Sequence, residues 1–342
     1  MVTGAVDTRR GSDFAGLCRQ VRAARLLERR RGHYAARIAV TGLAFAALWW
    51  MFAVVGASWY QMIVAAAMGM VFTQVAFLGH DGGHQQVCRS RRGNDTIGVL
   101  AGDLLVGLSY GWWVDKHSRH HAHPNQEGYD PDIGDGVLAF TTTQVAARGG
   151  AVGRLVARHQ AWLFFPLLTL EGINLHVASL RSLLQRRSAR YRRVELALFA
   201  VHIAGYLGAV FLVLSPVKAL VFIAIHQGVF GLYMGCSFAP NHKGMPIIPE
   251  GADVDFLRRQ VLTSRNVRGG WFTDLLLGGL NYQVEHHLFP NMPRPSLRRA
   301  QALVRAYCHD HRITYTETSL VGSYLAALRH LHALGAPLRA RP

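Results

Sequence analysis

The sequence predicts an all-α integral membrane protein: four transmembrane helices and a helical cytoplasmic cap carrying three histidine clusters. Three observations predict it. Half of the 342 residues are hydrophobic and only 17% are charged, yet the formal net charge is +17. Apolar and basic residues must therefore be segregated along the chain, as in a membrane protein with basic cytoplasmic flanks. Four apolar runs of about 20 residues, the length that crosses a hydrocarbon core as a helix, occur as two close pairs. Finally, seven histidines fall in three short clusters, the first of them at the end of the second run.

Residues 1–37 form a basic N-terminal segment in which Arg19, Arg22, Arg25, Arg29, Arg30 and Arg31 lie close together. The segment reads as an amphipathic helix lying on anionic lipid. It has no short apolar stretch followed by a cleavage site, so no signal peptide is expected. Residues 38–57 and 59–79 are the first pair of spans. Trp49, Trp50, Trp59 and Tyr60 suit interface anchors or the lining of an acyl pocket. With the basic segment inside, the second span returns to the cytoplasm at His80, just before Arg89, Arg91 and Arg92.

Residues 97–113 are apolar but hold Asp103 and several glycines, which fits a short re-entrant or interfacial helix better than a span. Residues 122–160 are hydrophilic, and Pro124-Asn125 and Asp130-Pro131-Asp132 read as turns of a cytoplasmic loop. The apolar run 161–180 contains Pro166, Glu171, Asn174 and His176. Arg154 and Arg158 precede it, and Arg181, Arg186, Arg187, Arg190, Arg192 and Arg193 follow it. Both of its ends belong on the cytoplasmic side, so it too reads as interfacial or re-entrant. Residues 194–214 and 217–236 form the second pair of spans, joined at Ser215-Pro216, and return the chain at His242. The membrane domain thus covers residues 38–300, and 301–342 is a basic cytoplasmic tail. Both termini are expected in the cytoplasm and the spans in the cell membrane.

An isoelectric point near 10.6 also suits nucleic-acid binding. The arginines flank apolar runs, however, and no recognition module is present, so no nucleic-acid partner is expected. Cys18, Cys88, Cys236 and Cys308 are too scattered for a disulfide framework, a zinc ribbon or an iron–sulfur ligand set.

The chemistry lies in the histidines. If Lys116-His117-Ser118-Arg119-His120-His121 is helical, His117, His120 and His121 share one face at i, i+3 and i+4. A solvated basic patch would explain that triplet alone. It does not explain His80 and His84 in GHDGGH, or His286 and His287 in QVEHH. Four spans bring all of these, with His242, to one side of the membrane. Imidazole suits iron, copper, nickel and zinc. Eight ligands are too many for one ion, so they divide between two, about four imidazoles each with room for an exogenous ligand. A redox-active pair with open positions suits O2 activation, and iron is the expected metal. Asp81 and Glu285 adjoin these histidines and are candidates to orient imidazoles. His202 and His226, inside apolar runs, are expected to be hydrogen-bonded between packed helices. His123 stays outside the ligand set.

These residues resemble the membrane fatty acid desaturase family, whose pattern is HxxxH, HxxHH and a third HxxHH or QxxHH box. Here the boxes are His80-Asp81-Gly82-Gly83-His84, His117-Ser118-Arg119-His120-His121 and Gln283-Val284-Glu285-His286-His287, and the resemblance runs from about residue 40 to residue 300. It implies a non-haem di-iron centre that uses O2 and two electrons to remove two hydrogens from an acyl chain, leaving a cis double bond. It also implies a ligand after the fourth span, which maps to His242. Gln283, as in front-end and some bacterial acyl desaturases, would bind directly or through water.

Such a reaction needs a narrow apolar tunnel that positions a methylene and excludes water. Trp112, Trp113, Trp271, Phe272 and Tyr282 are candidates for its wall. The basic flanks suit an acidic lipid headgroup or the phosphates of CoA. The chain has no HPGG haem motif (His123-Pro124 is followed by Asn125-Gln126), no clustered cysteines and no GxGxxG. Electrons are therefore expected from a separate ferredoxin, flavoprotein reductase or cytochrome, docked by its acidic surface on the basic face. The rivals are a related di-iron hydroxylase, a zinc intramembrane protease suggested by HDGGH, and a metal transporter. The glycines within HDGGH and the surplus of histidines oppose the protease. A transporter would hold its site nearer the bilayer midplane.

Overall fold

The computed structural model describes residues 13–185 and 191–340. Residues 1–12 and three of the arginines invoked above, Arg186, Arg187 and Arg190, lie outside the described residues.

Helix α1 (Asp13–Ala23) precedes a hairpin of α2 (Arg31–Val55) and α3 (Gln61–Gly83). Both helices outrun their apolar stretches, because helical hydrogen bonding does not stop where hydrophobicity does. Helix α2 starts among the arginines, and α3 continues through His80. Gln61 closes the turn between them: its Nε2 donates to the Phe52 and Gly56 carbonyls at 2.6 and 2.9 Å. It thereby satisfies acceptors that a helix end leaves open.

Helix α4 (Arg91–Val99) starts at Ser90, whose side chain accepts from the Gly93 N–H. It runs into a π-helical segment, Leu100–Val106, that stops at Gly107. Helix α5 (Tyr110–Ala122), capped by Ser109, then leaves at 115° to that pair. The sharp reversal fits the re-entrant character of residues 97–113. Helix α6 (Thr142–Ala146) and helices α7 (Ala151–Leu168) and α8 (Glu171–Gln185) follow, the last two bent by 81°. The stretch 122–160 is therefore loop only up to Thr141. The second hairpin is α9 (Arg192–Val213) and α10 (Pro216–His242), with Pro216 at the first helical position, where its missing N–H leaves no bond unmade. Among the described residues, α2, α3, α9 and α10 are the four helices long and apolar enough to cross a membrane.

The core of the bundle forms where α3 packs on α10, around Phe72, Phe222 and Phe230. His226 Nδ1 lies 2.8 Å from the Tyr206 hydroxyl, and His202 Nδ1 2.9 Å from the Leu104 carbonyl. Both are thus held between packed helices, as expected.

The C-terminal third contains α11 (Phe256–Leu262), β1 (Arg265–Arg268), α12 (Trp271–Leu276), α13 (Gln283–Leu288), α14 (Arg294–Asp310), β2 (Thr316–Ser319) and α15 (Leu320–Leu334). Strands β1 and β2 pair in parallel, with Arg265 opposite Thr316. The chain is therefore mostly helical and not all-α. These four-residue strands are too short and too polar to carry a periodic signal. Helix α1 also departs from expectation. Its apolar face, fully buried at Leu17 and Val21, packs with Val261, Leu297 and Val304 and does not lie free on lipid. Helix α14 offers a matching apolar stripe. Because α14 runs across residue 300 and α15 packs on α7 and α10, residues 301–340 pack into the fold and do not form a separate tail.

Candidate metal centre

All eight predicted histidines meet at the neighbouring ends of α3, α5, α10 and α13. The i, i+3, i+4 spacing within α5 turns His117, His120 and His121 to one side. His84 caps the end of α3, His242 is the last residue of α10, and α13 carries His286 and His287. They fall into two sets in which candidate donor atoms lie within 4.8 Å of one another: His80, His84, His117 and His286, and His120, His242 and His287. His121 lies against both. Its ring stacks on His287 with centroids 4.1 Å apart, and its Nε2 is 3.1 Å from His117 Nε2.

Hydrogen bonds at the backs of the rings set the tautomers in the second set. His242 Nδ1 faces the Thr263 carbonyl at 3.0 Å, His287 Nδ1 the Gln260 Oε1 at 2.9 Å, and His120 Nδ1 the Asp130 carboxylate at 3.0 Å. Gln260 cannot turn its amide around, because its Nε2 donates to the His121 carbonyl at 2.9 Å. Each Nδ1 faces an acceptor and must donate, so each Nε2 presents a lone pair. Those lone pairs point at one another: His120 to His242 at 3.3 Å and His242 to His287 at 3.1 Å. Three converging lone pairs repel unless a cation, a proton or a metal ion, sits among them. Gln283 reaches the same point, with its Nε2 2.9 Å from His242 Nε2.

In the first set the Nε2 atoms of His80, His84 and His286 are buried without a partner. Unpaired buried donors or acceptors are costly, and ligation would satisfy them. Both sets therefore fit metal ions. Electrostatics agree: burial first, then the neighbouring imidazoles, holds His84, His117, His121, His286 and His287 well below the ordinary histidine pKa, so they stay neutral, the form that binds a metal. Burial also opposes charge on His120, but the Asp130 and Asp132 carboxylates outweigh it and raise its pKa.

Several supporting residues were not read as such from the sequence. Asp130-Pro131-Asp132 is indeed a turn, but its carboxylates face inward. Asp130 accepts from His120 and from the Asn125 and Asp132 N–H groups at 2.7 and 2.8 Å. Asp132 holds Lys116 at 2.5 Å. Two acids inside a loop otherwise read as turns are the available signal. Arg294 makes a buried ion pair with Asp81 at 2.6 Å, while Asp81 Oδ1 stands 3.4 Å from His80 Nδ1. Glu285 departs from expectation: it turns away from the imidazoles and accepts from Asn266 and Tyr315 at 2.7 and 2.8 Å, with burial raising its pKa to about 7. Residues on one short helix point in different directions, so adjacency to His286 in sequence was no guide.

An apolar cavity of about 40 Å³ opens beside His80, lined by Ala76, Phe77, Val106, Trp113 and Phe238 among others. Of the proposed tunnel residues, Trp113 lines it and stacks on His117 at 4.4 Å. Glycine at 83 makes room for that ring, since a side chain there would run into Trp113. Trp112, half-buried, does not line this cavity. Trp271 and Phe272 face outward at 74% and 59% exposure. Tyr282 packs in the C-terminal core with its hydroxyl toward Asp274. Sequence proximity to a box says nothing about which side of it a ring occupies. His123 is outside both sets, beside Gln126.

Comparison with known proteins points the same way. The sequence profile of the Fatty acid desaturase family matches residues 57–319. The chain is 30% identical over 274 residues to an acyl-lipid (9-3)-desaturase of Physcomitrium patens, covering 78% of this chain and 52% of that protein. It is 29% identical over 296 residues to a Delta(6)-fatty-acid desaturase of Caenorhabditis elegans (83% and 66%), and 31% identical over 284 residues to a Delta(8)-fatty-acid desaturase of Euglena gracilis (80% and 68%). It spans 52–64% of the length of the three relatives from Physcomitrium patens, Borago officinalis and Helianthus annuus. With three histidine boxes gathered at the ends of two helix hairpins and the family profile matched over most of its length, this chain belongs to the fatty acid desaturase family.

Proposed function

We propose that the protein is an O2-dependent fatty acyl desaturase with two iron ions held by the two histidine sets. The observation that carries this is the convergence of the His120, His242 and His287 Nε2 lone pairs, each of these three rings fixed from behind, next to a first set whose His80 adjoins an apolar cavity. His80, His84, His117 and His286 hold one ion. His120, His242 and His287 hold the other, His121 lies between them, and Gln283, whose Nε2 faces the set while its Oε1 accepts from Asn241, joins it through water. When bound, the irons supply the oxidising power that O2 and two electrons generate.

The chain's own residues do the positioning. Asp130, Gln260 and the Thr263 carbonyl keep each Nδ1 protonated and each Nε2 aimed inward. Ala76, Phe77, Val106, Trp113 and Phe238 hold two adjacent methylenes of the acyl chain near His80 and exclude water. Relatives named Delta(5), Delta(6) and Delta(8) desaturases support a new double bond in that part of the chain. The spans cross the cell membrane with both termini and the boxes cytoplasmic. The arginine-rich face receives a separate acidic electron donor: a ferredoxin, a flavoprotein reductase or a cytochrome.

A membrane di-iron hydroxylase would use the same ligands, and its product separates the two. Expression with a competent reductase, followed by double-bond mapping of total fatty acids, is expected to give a cis-unsaturated product that a His120→Ala control lacks. A hydroxylated product alone would assign the site to hydroxylation.

A further inference from the structure

We propose that α12 is seated in the membrane interface and forms a side door through which the acyl chain of a membrane lipid reaches the cavity beside His80. The inference rests on the desaturase reading for its substrate, but not for its membrane contact. Helix α12 buries none of its side chains. Trp271, Phe272 and Leu275 are 74%, 59% and 42% exposed, and three large apolar groups on six residues mark a surface that something covers.

Contacts with the spans identify the cover. The Leu275 carbonyl accepts from Gln74 Nε2 at 3.3 Å, and the Leu276 carbonyl from the Tyr233 hydroxyl at 2.7 Å. Gln74 lies on α3 and Tyr233 on α10, both long enough to cross the bilayer. Gln74 is six residues to the membrane side of His80, about 9 Å along a helix. The Arg37 guanidinium also bonds Gln74. An arginine is costly deep in hydrocarbon, so this level is the headgroup boundary, where tryptophan concentrates. The occupant of the α12 face is therefore the lipid leaflet.

The same segment adjoins the cavity. It is flanked by Gly269-Gly270 and by Gly278 and Gly279, whose φ angles are 62° and 81°. A Cβ on Gly278 would stand 2.7 Å from the Phe77 ring, and Phe77 lines the cavity. Phe77 thus separates α12 from the space beside His80. A chain passing from the leaflet under α12 reaches the apolar lining of the cavity at Phe77.

The test uses the full-length protein reconstituted in vesicles. With phospholipids brominated near the headgroup, the emission difference between wild type and Trp271→Phe isolates Trp271. That component is expected to be strongly quenched, and an unquenched Trp271 would overturn the proposal whatever the activity. In the second arm, Phe272→Asp is expected to raise KM for a phospholipid-bound acyl substrate about tenfold or more, as loss of aromatic burial implies, with kcat changed by less than about twofold and Phe272→Leu restoring KM. An unchanged KM, or a fall in kcat alone, would overturn it. Absence of product from wild type would instead sink the desaturase reading and leave the quenching result to decide the membrane contact.

Discussion

His120 and His242 stand 122 residues apart in sequence, yet their Nε2 atoms lie 3.3 Å apart while their Nδ1 atoms face Asp130 and the Thr263 carbonyl. Two rings locked from behind and aimed at a common point are the unit from which the rest of the site is built.

Asp130 carries one of those locks. Asp130→Ala removes the acceptor from His120 Nδ1 and two N–H partners from the 125–132 turn. Metal affinity is expected to fall by about 10–100-fold, the usual effect of losing a partner behind a ligand, and Asp130→Asn less, because it keeps one acceptor oxygen. Metal retained against a graded chelator series measures this. Wild-type retention in Asp130→Ala would remove Asp130 from the account.

Arg294 and Asp81, 8% and 2% exposed, form a buried ion pair between α14 and α3. Arg294→Met leaves a bare carboxylate beside His80, and breaking such a pair from one side costs about 3–5 kcal/mol. A lower midpoint of thermal unfolding in detergent is expected, with partial recovery in Arg294→Met/Asp81→Asn. A single variant as stable as wild type would show that the pair is not coupled to the fold.

The buried imidazoles give a signed pH dependence. His84, His117, His121, His286 and His287 are held below their unfolded pKa of about 6.5. Below that pH the unfolded chain binds more protons than the folded one, so folding stability falls as pH falls. Metal-free protein is expected to lose unfolding midpoint steadily from pH 7 to pH 5, and the loaded protein to release metal over the same direction. A midpoint that rises on acidification would contradict the burial of neutral rings.

Much of this was legible in the sequence, for physical reasons. The spans are long apolar runs, the only feature that membrane burial of a helix requires, and α2, α3, α9 and α10 appear where those runs lie. The boxes are legible because metal ligands on one helix must recur at i, i+3 and i+4. Gln260, Thr263, Asp130 and Arg294 were not legible as supports, because each acts across contacts between distant segments that leave no local period. For the same reason Glu285 and the aromatics Trp271, Phe272 and Tyr282 were read as neighbours of the site. A residue beside a box in sequence takes its direction from the short helix that carries it, and α12 points its rings to the outside.

The central claim is that the converging histidines hold two iron ions. Metal analysis of the purified full-length chain tests it most directly. About two irons per chain are expected, as for a two-metal site, with the second set's share lost in His242→Ala; stoichiometric zinc without iron, or full iron content in that variant, would contradict it.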